Sequence, residues 1–92
     1  MNNCIVLHPA DNVAVALRDL QAGEQITLPD GRILTLPGPI AFGHKLALRT
    51  IVRGEKILKY GLPIGSATRA IAPGEHVHVQ NLKSDYVWRE DR

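Results

Sequence analysis

Apolar and polar residues alternate along this chain at the spacing of strands. Val13, Val15 and Leu17 alternate with the small Ala14 and Ala16, the period-2 pattern of a buried strand. Two apolar stretches, 25–28 and 32–36, flank Pro29-Asp30-Gly31, and Asp-Gly between such stretches is a strong hairpin signal. Residues 44–48, 56–59 and 76–80 give three further short strands. The 8 glycines and 6 prolines interrupt the chain too often for long helices. They leave room only for helical turns at 17–22, 48–52 and 67–72. The pattern predicts a mostly β fold of short strands with small helical turns.

One motif recurs. Leu17-Arg18-Asp19-Leu20-Gln21-Ala22-Gly23-Glu24-Gln25-Ile26 matches Leu48-Arg49-Thr50-Ile51-Val52-Arg53-Gly54-Glu55-Lys56-Ile57, and Thr68-Arg69-Ala70-Ile71-Ala72-Pro73-Gly74-Glu75-His76-Val77 is a third copy. Each reads as a turn stopped by a left-handed glycine, followed by entry into a strand. Leu20, Ile51 and Ile71 are the expected anchors of the turns in the core. The copies lie 31 and then 20 residues apart, so the chain is no solenoid.

With 92 residues there is material for one small domain and a thin core. One Phe, one Trp and two Tyr leave that core to Leu, Ile, Val and Ala, and a deep private catalytic pocket is difficult to build from so little. Any chemistry is therefore expected at a site shared with another chain. The net charge of +2 is dispersed, a footprint too weak for nucleic acid. No apolar run approaches the roughly 20 residues that span a bilayer, so no membrane is expected. The opening MNNCIVLHPADN has no cationic start and argues against a secretory signal. Lone Cys4 makes no intrachain disulfide, and a cytoplasmic address fits best.

The sharpest chemical feature is Gly74-Glu75-His76-Val77-His78-Val79-Gln80-Asn81. In a strand, Val77 and Val79 share one face while His76, His78 and Gln80 share the other. Both imidazoles then leave the core on one side, with backbone positions about 6.6 Å apart, a geometry that lets two nitrogens converge on one divalent metal. Asn81 stands just beyond as a supporting group. The plain alternative is a solvated strand face, since His-x-His has low specificity. His44, in Phe42-Gly43-His44-Lys45, fits proton transfer, metal ligation or an ordinary strand start. Lys45 beside it is suited to a carboxylate. Lys59-Tyr60-Gly61-Leu62-Pro63-Ile64-Gly65 reads as a rigid loop displaying Lys59 and Tyr60, either to bind a sugar-acid carboxylate and hydroxyls or as a structural corner. His8-Pro9-Ala10-Asp11-Asn12 reads as a turn in which Asp11 or Asn12 bonds the local backbone, or as a site edge. No P-loop, dinucleotide fingerprint, nucleophile elbow or Cys-x-x-Cys pair is present.

Taken in order, Asp11-Asn12-Val13-Ala14-Val15-Ala16-Leu17, Gly43-His44-Lys45-x-Ala47-Leu48, the Lys59–Gly65 segment and Gly74-Glu75-His76-Val77-His78 closely resemble the amino-terminal domain of the altronate dehydratase (altronate hydrolase) family, which includes galactarate dehydratase. The resemblance runs from about His8 to Asn81. It implies an SAF-type β-clip domain over residues 1–82, followed by a polar tail, 83–92, that holds Tyr86 and Trp88. It further implies dehydration of D-altronate to 2-dehydro-3-deoxy-D-gluconate, with Fe2+ or Mn2+ as cofactor. In full-length members a much larger domain follows, so this chain is expected to act with a large catalytic dehydratase subunit and a sugar-acid substrate, and a homo-oligomer is possible. The implied roles are metal ligation for His76 and His78, ligation or proton transfer for His44, and substrate contact for Lys45, Lys59 and Tyr60. Two related readings are the small subunit of (2R)-sulfolactate sulfo-lyase and a non-catalytic sugar-acid-binding SAF module.

Overall fold

Strands of two to six residues carry the fold: β1 (Cys4–Ile5), β2 (Val13–Ala16), β3 (Gln25–Thr27), β4 (Ile33–Thr35), β5 (Lys45–Ala47), β6 (Lys56–Lys59), β7 (Leu62–Ala67), β8 (His76–Val77) and β9 (Leu82–Lys83). They come from a computed structural model that describes residues 3–85; Tyr86 and Trp88 of the expected polar tail lie outside the described residues. Four strands make a central antiparallel sheet in the order β1-β2-β5-β8. Alternation gives its two faces different partners. Cys4, Ala14, Ala16 and Leu46 join one core with Leu20, Ile26, Leu34, Leu36 and Ile40. Val13, Ala47 and Val77 join a second with Ile51, Ile57, Ala67 and Ile71. The β3–β4 hairpin, turning at Gly31 (φ +90°) as the Asp-Gly step predicts, closes the first core. The β6–β7 hairpin closes the second.

The recurring motif forms corners. In each, an arginine pairs with the glutamate six residues on: Arg18 with Glu24, Arg49 with Glu55, Arg69 with Glu75. The guanidinium also donates to the next carbonyl, of Asp19, Thr50 or Ala70. The glutamate's second oxygen accepts the backbone N–H of Gln21, Val52 or Ala72. Gly23, Gly54 and Gly74 hold φ of +80°, +86° and +82°.

These corners are not helical, which corrects the expectation at 17–22, 48–52 and 67–72. No helix occurs among the described residues. The backbone N–H of Leu20 bonds to the carbonyl of Ile40 and is reciprocated, and Ile51 and Ile71 do the same. Donors committed to these cross-bridges cannot close an i→i+4 turn.

Ile40 belongs to a further corner, the second in chain order, Ile40-Ala41-Phe42-Gly43-His44-Lys45-Leu46. Gly43 has φ +82°. Its N–H donates to the Ala16 carbonyl (2.9 Å) while the Ala16 N–H donates to the His44 carbonyl (2.9 Å). One repeat later, Gly74 donates to Ala47 (2.7 Å) and Ala47 to Glu75 (2.9 Å). First and third corners stand 31 residues apart (24 to 55), as do second and fourth (44 to 75). Residues 13–43 thus repeat their strand-and-corner pattern in 44–74, and His44 occupies a glutamate's place.

The rigid loop expected at 59–65 is instead a hairpin with a two-residue turn. Tyr60 (φ +58°) and Gly61 (φ +72°) are both left-handed, the type I′ pattern that matches strand twist. The buried Asp11 carboxylate accepts the N–H groups of Tyr60 (3.1 Å) and Gly61 (2.7 Å), holding Tyr60 where a side chain is disfavoured. Asn12 donates to the Lys56 carbonyl (2.9 Å) and accepts from Leu58 N–H (2.8 Å). Both side chains therefore brace a distant hairpin, not the local turn the sequence suggested. Pro63 is tolerated because β9 pairs only with Ser66 and Ala67, and the β6–β7 register shifts at Ile57/Leu58. Gly65 is required by β9, since a Cβ there would stand 2.4 Å from the Lys83 carbonyl oxygen.

Candidate functional site

Three histidines from two segments meet at one edge of the central sheet. His44 comes from the second corner, His76 from β8 opposite Leu46, and His78 from the turn that follows. Their ring centroids are 5.1 Å apart for His44–His76, 5.3 Å for His44–His78 and 5.7 Å for His76–His78. His76 is half-buried; the other two are exposed.

The expected strand 76–80 ends early, and its cause is Asn81. This fully buried side chain accepts the His78 N–H (3.0 Å) and donates to the His76 carbonyl (2.8 Å), while its own N–H reaches the His78 carbonyl (3.0 Å). Residues 78–81 therefore turn. Val79, expected on the core face with Val77, is 77% exposed. The turn nevertheless brings the His78 ring back beside His76, so the two imidazoles share a side by a different route. Asn81 is the supporting group behind both.

Gln80 completes the arrangement. Its Nε2 donates to the His76 carbonyl and also to His76 Nδ1, both at 3.2 Å. That Nδ1 is an acceptor, so the neutral His76 ring carries its proton on Nε2. Nε2 in turn lies 2.9 Å from His44 Nδ1 and donates to it. Burial pushes the His76 pKa down, assisted by His44, His78 and Lys45, with Glu75 opposing. The ring is neutral near pH 7 and able to take up or pass a proton.

Lys45 is half-buried on β5, its pKa lowered by burial and then by Lys59. Lys45 thus feels the Lys59 charge, and His76 in turn feels that of Lys45. Tyr60 sits at the β6–β7 tip with the Lys59 ammonium 5.8 Å from its ring centroid. It contacts Lys59 through its ring and Asp11 through its backbone N–H. His8, a possible site edge, lies with its ring over Gly61, within 2.9 Å of where a Cβ would stand.

Metal ligation has a mixed fit. Neutral imidazole is a good ligand for divalent iron or manganese. Among the described residues, however, no group of three or more His, Cys, Asp or Glu side chains is placed to hold a metal ion. His44 and His76 turn their nitrogens toward each other, so this chain offers part of a ligand set at most.

Sequence reasoning missed the role of Gln80 and the second corner. The signal for the latter was aliphatic-x-x-Gly-x-x-aliphatic, visible once glutamate is not demanded after the glycine.

A small all-β domain of duplicated corners, with an imidazole cluster at its sheet edge, is the class of protein defined by this fold and site. Residues 2–85 match the altronate/galactarate dehydratase SAF domain, and the chain belongs to that family. It is 47% identical to altronate dehydratase of Escherichia coli (strain K12) over 88% of its length, and 44% identical to altronate dehydratase of Bacillus subtilis (strain 168) over 92%. It spans only 16% and 17% of those two proteins. It is also 36% identical to (2R)-sulfolactate sulfo-lyase subunit alpha of Chromohalobacter salexigens, over 86% of this chain and 92% of that one. No helix among the described residues is long and apolar enough to cross a membrane.

Proposed function

We propose that this chain is the SAF part of a cytoplasmic sugar-acid dehydratase that acts on D-altronate together with a large catalytic subunit. The observation that carries the reading is the hydrogen-bonded His44–His76 pair with His78 beside it, in a chain nearly half identical to altronate dehydratases over most of its length.

Dehydration removes the proton on the carbon beside the carboxylate. The electron pair left behind forms the carbon–carbon double bond, and the neighbouring hydroxyl leaves with a proton as water. The resulting enol becomes the 2-keto acid. In this reading His44, at the exposed end of the pair, is the proton-transfer group, and the 2.9 Å contact with His76 orients its ring. Lys45 and Lys59 attract the carboxylate, and Tyr60 meets a hydroxyl. An Fe2+ or Mn2+ ion, when bound, supplies a Lewis acid for the departing hydroxyl. His76 and His78 are the candidate ligands from this chain; His78 offers its ring freely, His76 would have to give up its bond to Gln80 or to His44, and the large subunit would complete the set.

The test is reconstitution. This chain, the large subunit and their mixture are each assayed for 2-dehydro-3-deoxy-D-gluconate formed from D-altronate. Only the mixture should turn over. Turnover by this chain alone would refute the need for a partner. Full activity and metal content in a His76→Ala/His78→Ala mixture would remove both residues from the mechanism.

A second reading is favoured by one observation, that the chain matches nearly the whole length of a sulfo-lyase subunit alpha. Sulfite released from (2R)-sulfolactate by the mixture, without altronate turnover, selects it. Tight, metal-independent altronate binding by this chain alone selects a non-catalytic sugar-acid-binding module.

A further inference from the structure

Three of the four corners are locked by an arginine and the glutamate six residues on. In the remaining corner the same two positions hold Gly38 and His44. The 31-residue register makes the correspondence one to one: 38 answers to Arg69 and 44 to Glu75. The fold does not ask for glycine at 38. Gly38 lacks the left-handed backbone of the corner glycines, and a Cβ placed on it meets nothing within 4 Å.

The space left free adjoins the imidazoles. A groove of about 520 Å3 runs past Pro37, Gly38, Pro39, Gln80 and His76. A second, of about 360 Å3, runs past Leu20, Pro39, Ala41, His44 and His76. Pro39 and His76 line both. In the sister corners the arginine reaches from its own position to the side chain six residues on, donating to the intervening carbonyl. A side chain reaching from 38 to 44 in that way would pass over Pro39, along the junction of the two grooves and in front of His76.

We infer that Gly38 is a positioning residue that opens the site: the omission of one corner's arginine frees position 44 for an imidazole and leaves the channel by which a small hydroxy acid reaches His76. The inference deepens the dehydratase reading and rests on it for the nature of the ligand. Gly38 touches no reacting atom; it acts by leaving His44 and His76 uncovered.

The test restores what is missing. Gly38→Arg and Gly38→Arg/His44→Glu are made in the full chain, with Gly38→Ala as the control for backbone freedom. Thermal melting reports the fold. The rate at which diethyl pyrocarbonate modifies each histidine, read by mass spectrometry with His8 as internal reference, reports access. All three variants should melt within a few degrees of the parent or above it. In Gly38→Arg, modification of His44 and His76 should slow at least fivefold relative to His8, and His76 should be slowed likewise in the double variant. In the reconstituted enzyme Gly38→Arg should raise KM for D-altronate at least tenfold. A melting point lowered by more than about 10 °C in Gly38→Ala would make the glycine structural and overturn the inference. A folded Gly38→Arg in which His44 and His76 react at the parental rate overturns it as well. Absence of altronate turnover in the parent mixture counts against the dehydratase reading alone, because melting and modification still decide what Gly38 does.

Discussion

His44 and His76 share a hydrogen bond of 2.9 Å between Nδ1 and Nε2, although 32 residues separate them. The contact exists because β5 and β8 pair with Leu46 opposite His76, which sets the residue two before Leu46 at the same sheet edge. If this pair moves protons, His44→Ala and His76→Ala should each lower reconstituted turnover by about 100- to 10,000-fold. Melting of the isolated chain should barely change for the exposed His44. Turnover within threefold of the parent in either variant would exclude that ring from proton transfer.

Gln80 fixes the tautomer of His76. Replacing it by Glu exchanges a donor for an acceptor at His76 Nδ1 and should move the proton from Nε2 to Nδ1. Nitrogen-15 chemical shifts of the ring read this directly. An unchanged shift pattern in Gln80→Glu would show that the amide does not set the tautomer.

Lys45 and the neighbouring imidazoles hold the His76 pKa down, after burial. Lys45→Met should therefore raise it, seen as an upward move of the His76 proton-resonance midpoint. The sign for stability follows from linkage. A base whose folded pKa is depressed binds its proton more readily when unfolded, so stability falls as pH drops through and below the ordinary imidazole range near 6.5. The urea midpoint should decline between about pH 6.5 and 5, and less so in His76→Gln.

The corner glutamates act in the same direction at lower pH. Glu24, Glu55 and Glu75 are each held below the usual carboxylate range, first by the arginine's hydrogen bond. Their contribution is complete above the unfolded value near 4.3 and is lost as pH falls below it toward the folded values. The urea midpoint should drop between about pH 4.5 and 3, and Glu55→Gln should flatten that drop. At neutral pH, Glu55→Ala loses the Val52 N–H acceptor and an exposed ion pair, together about 1 kcal/mol. That corresponds to a melting point lower by roughly 4–8 °C in a domain of this size.

Asp11 is buried and receives two backbone N–H groups from the β6–β7 turn. Asp11→Ala leaves both donors without their acceptor and frees a left-handed Tyr60, at a cost of about 2–3 kcal/mol. Hydrogen exchange at the Tyr60 and Gly61 amides should accelerate well before global unfolding. Protection equal to the parent's would mean the carboxylate is not what holds the turn.

The strands were legible where a period-2 stretch met a turn residue with one conformational preference. Asp30-Gly31 announced its hairpin, and Val13 to Ala16 its buried strand. Three features were not, each because a group outside the local hydrophobic pattern decided them. The corner segments look helical locally, but the N–H of Leu20 and Ile51 are claimed by Ile40 and Ile71. The strand at 76 reads as five residues until the Asn81 side chain takes the backbone groups of His76 and His78. The 59–65 segment looks like a loop because Tyr60 is a poor left-handed residue, tolerated here through a carboxylate 49 positions away. The pairing of His76 with His78 was reached from alternation and came about through a turn. His44 stood out from its own context, was joined to the pair by family resemblance, and is placed beside them by the β5–β8 register.

The central sheet belongs to both cores. β2 sends Ala14 into one and Val13 into the other, and β5 divides Leu46 and Ala47 in the same way. A single copy of the repeated unit would leave half of each of these strands facing water. The two cores should therefore melt as one, and a severed half should lose the cover on one face of each of these strands.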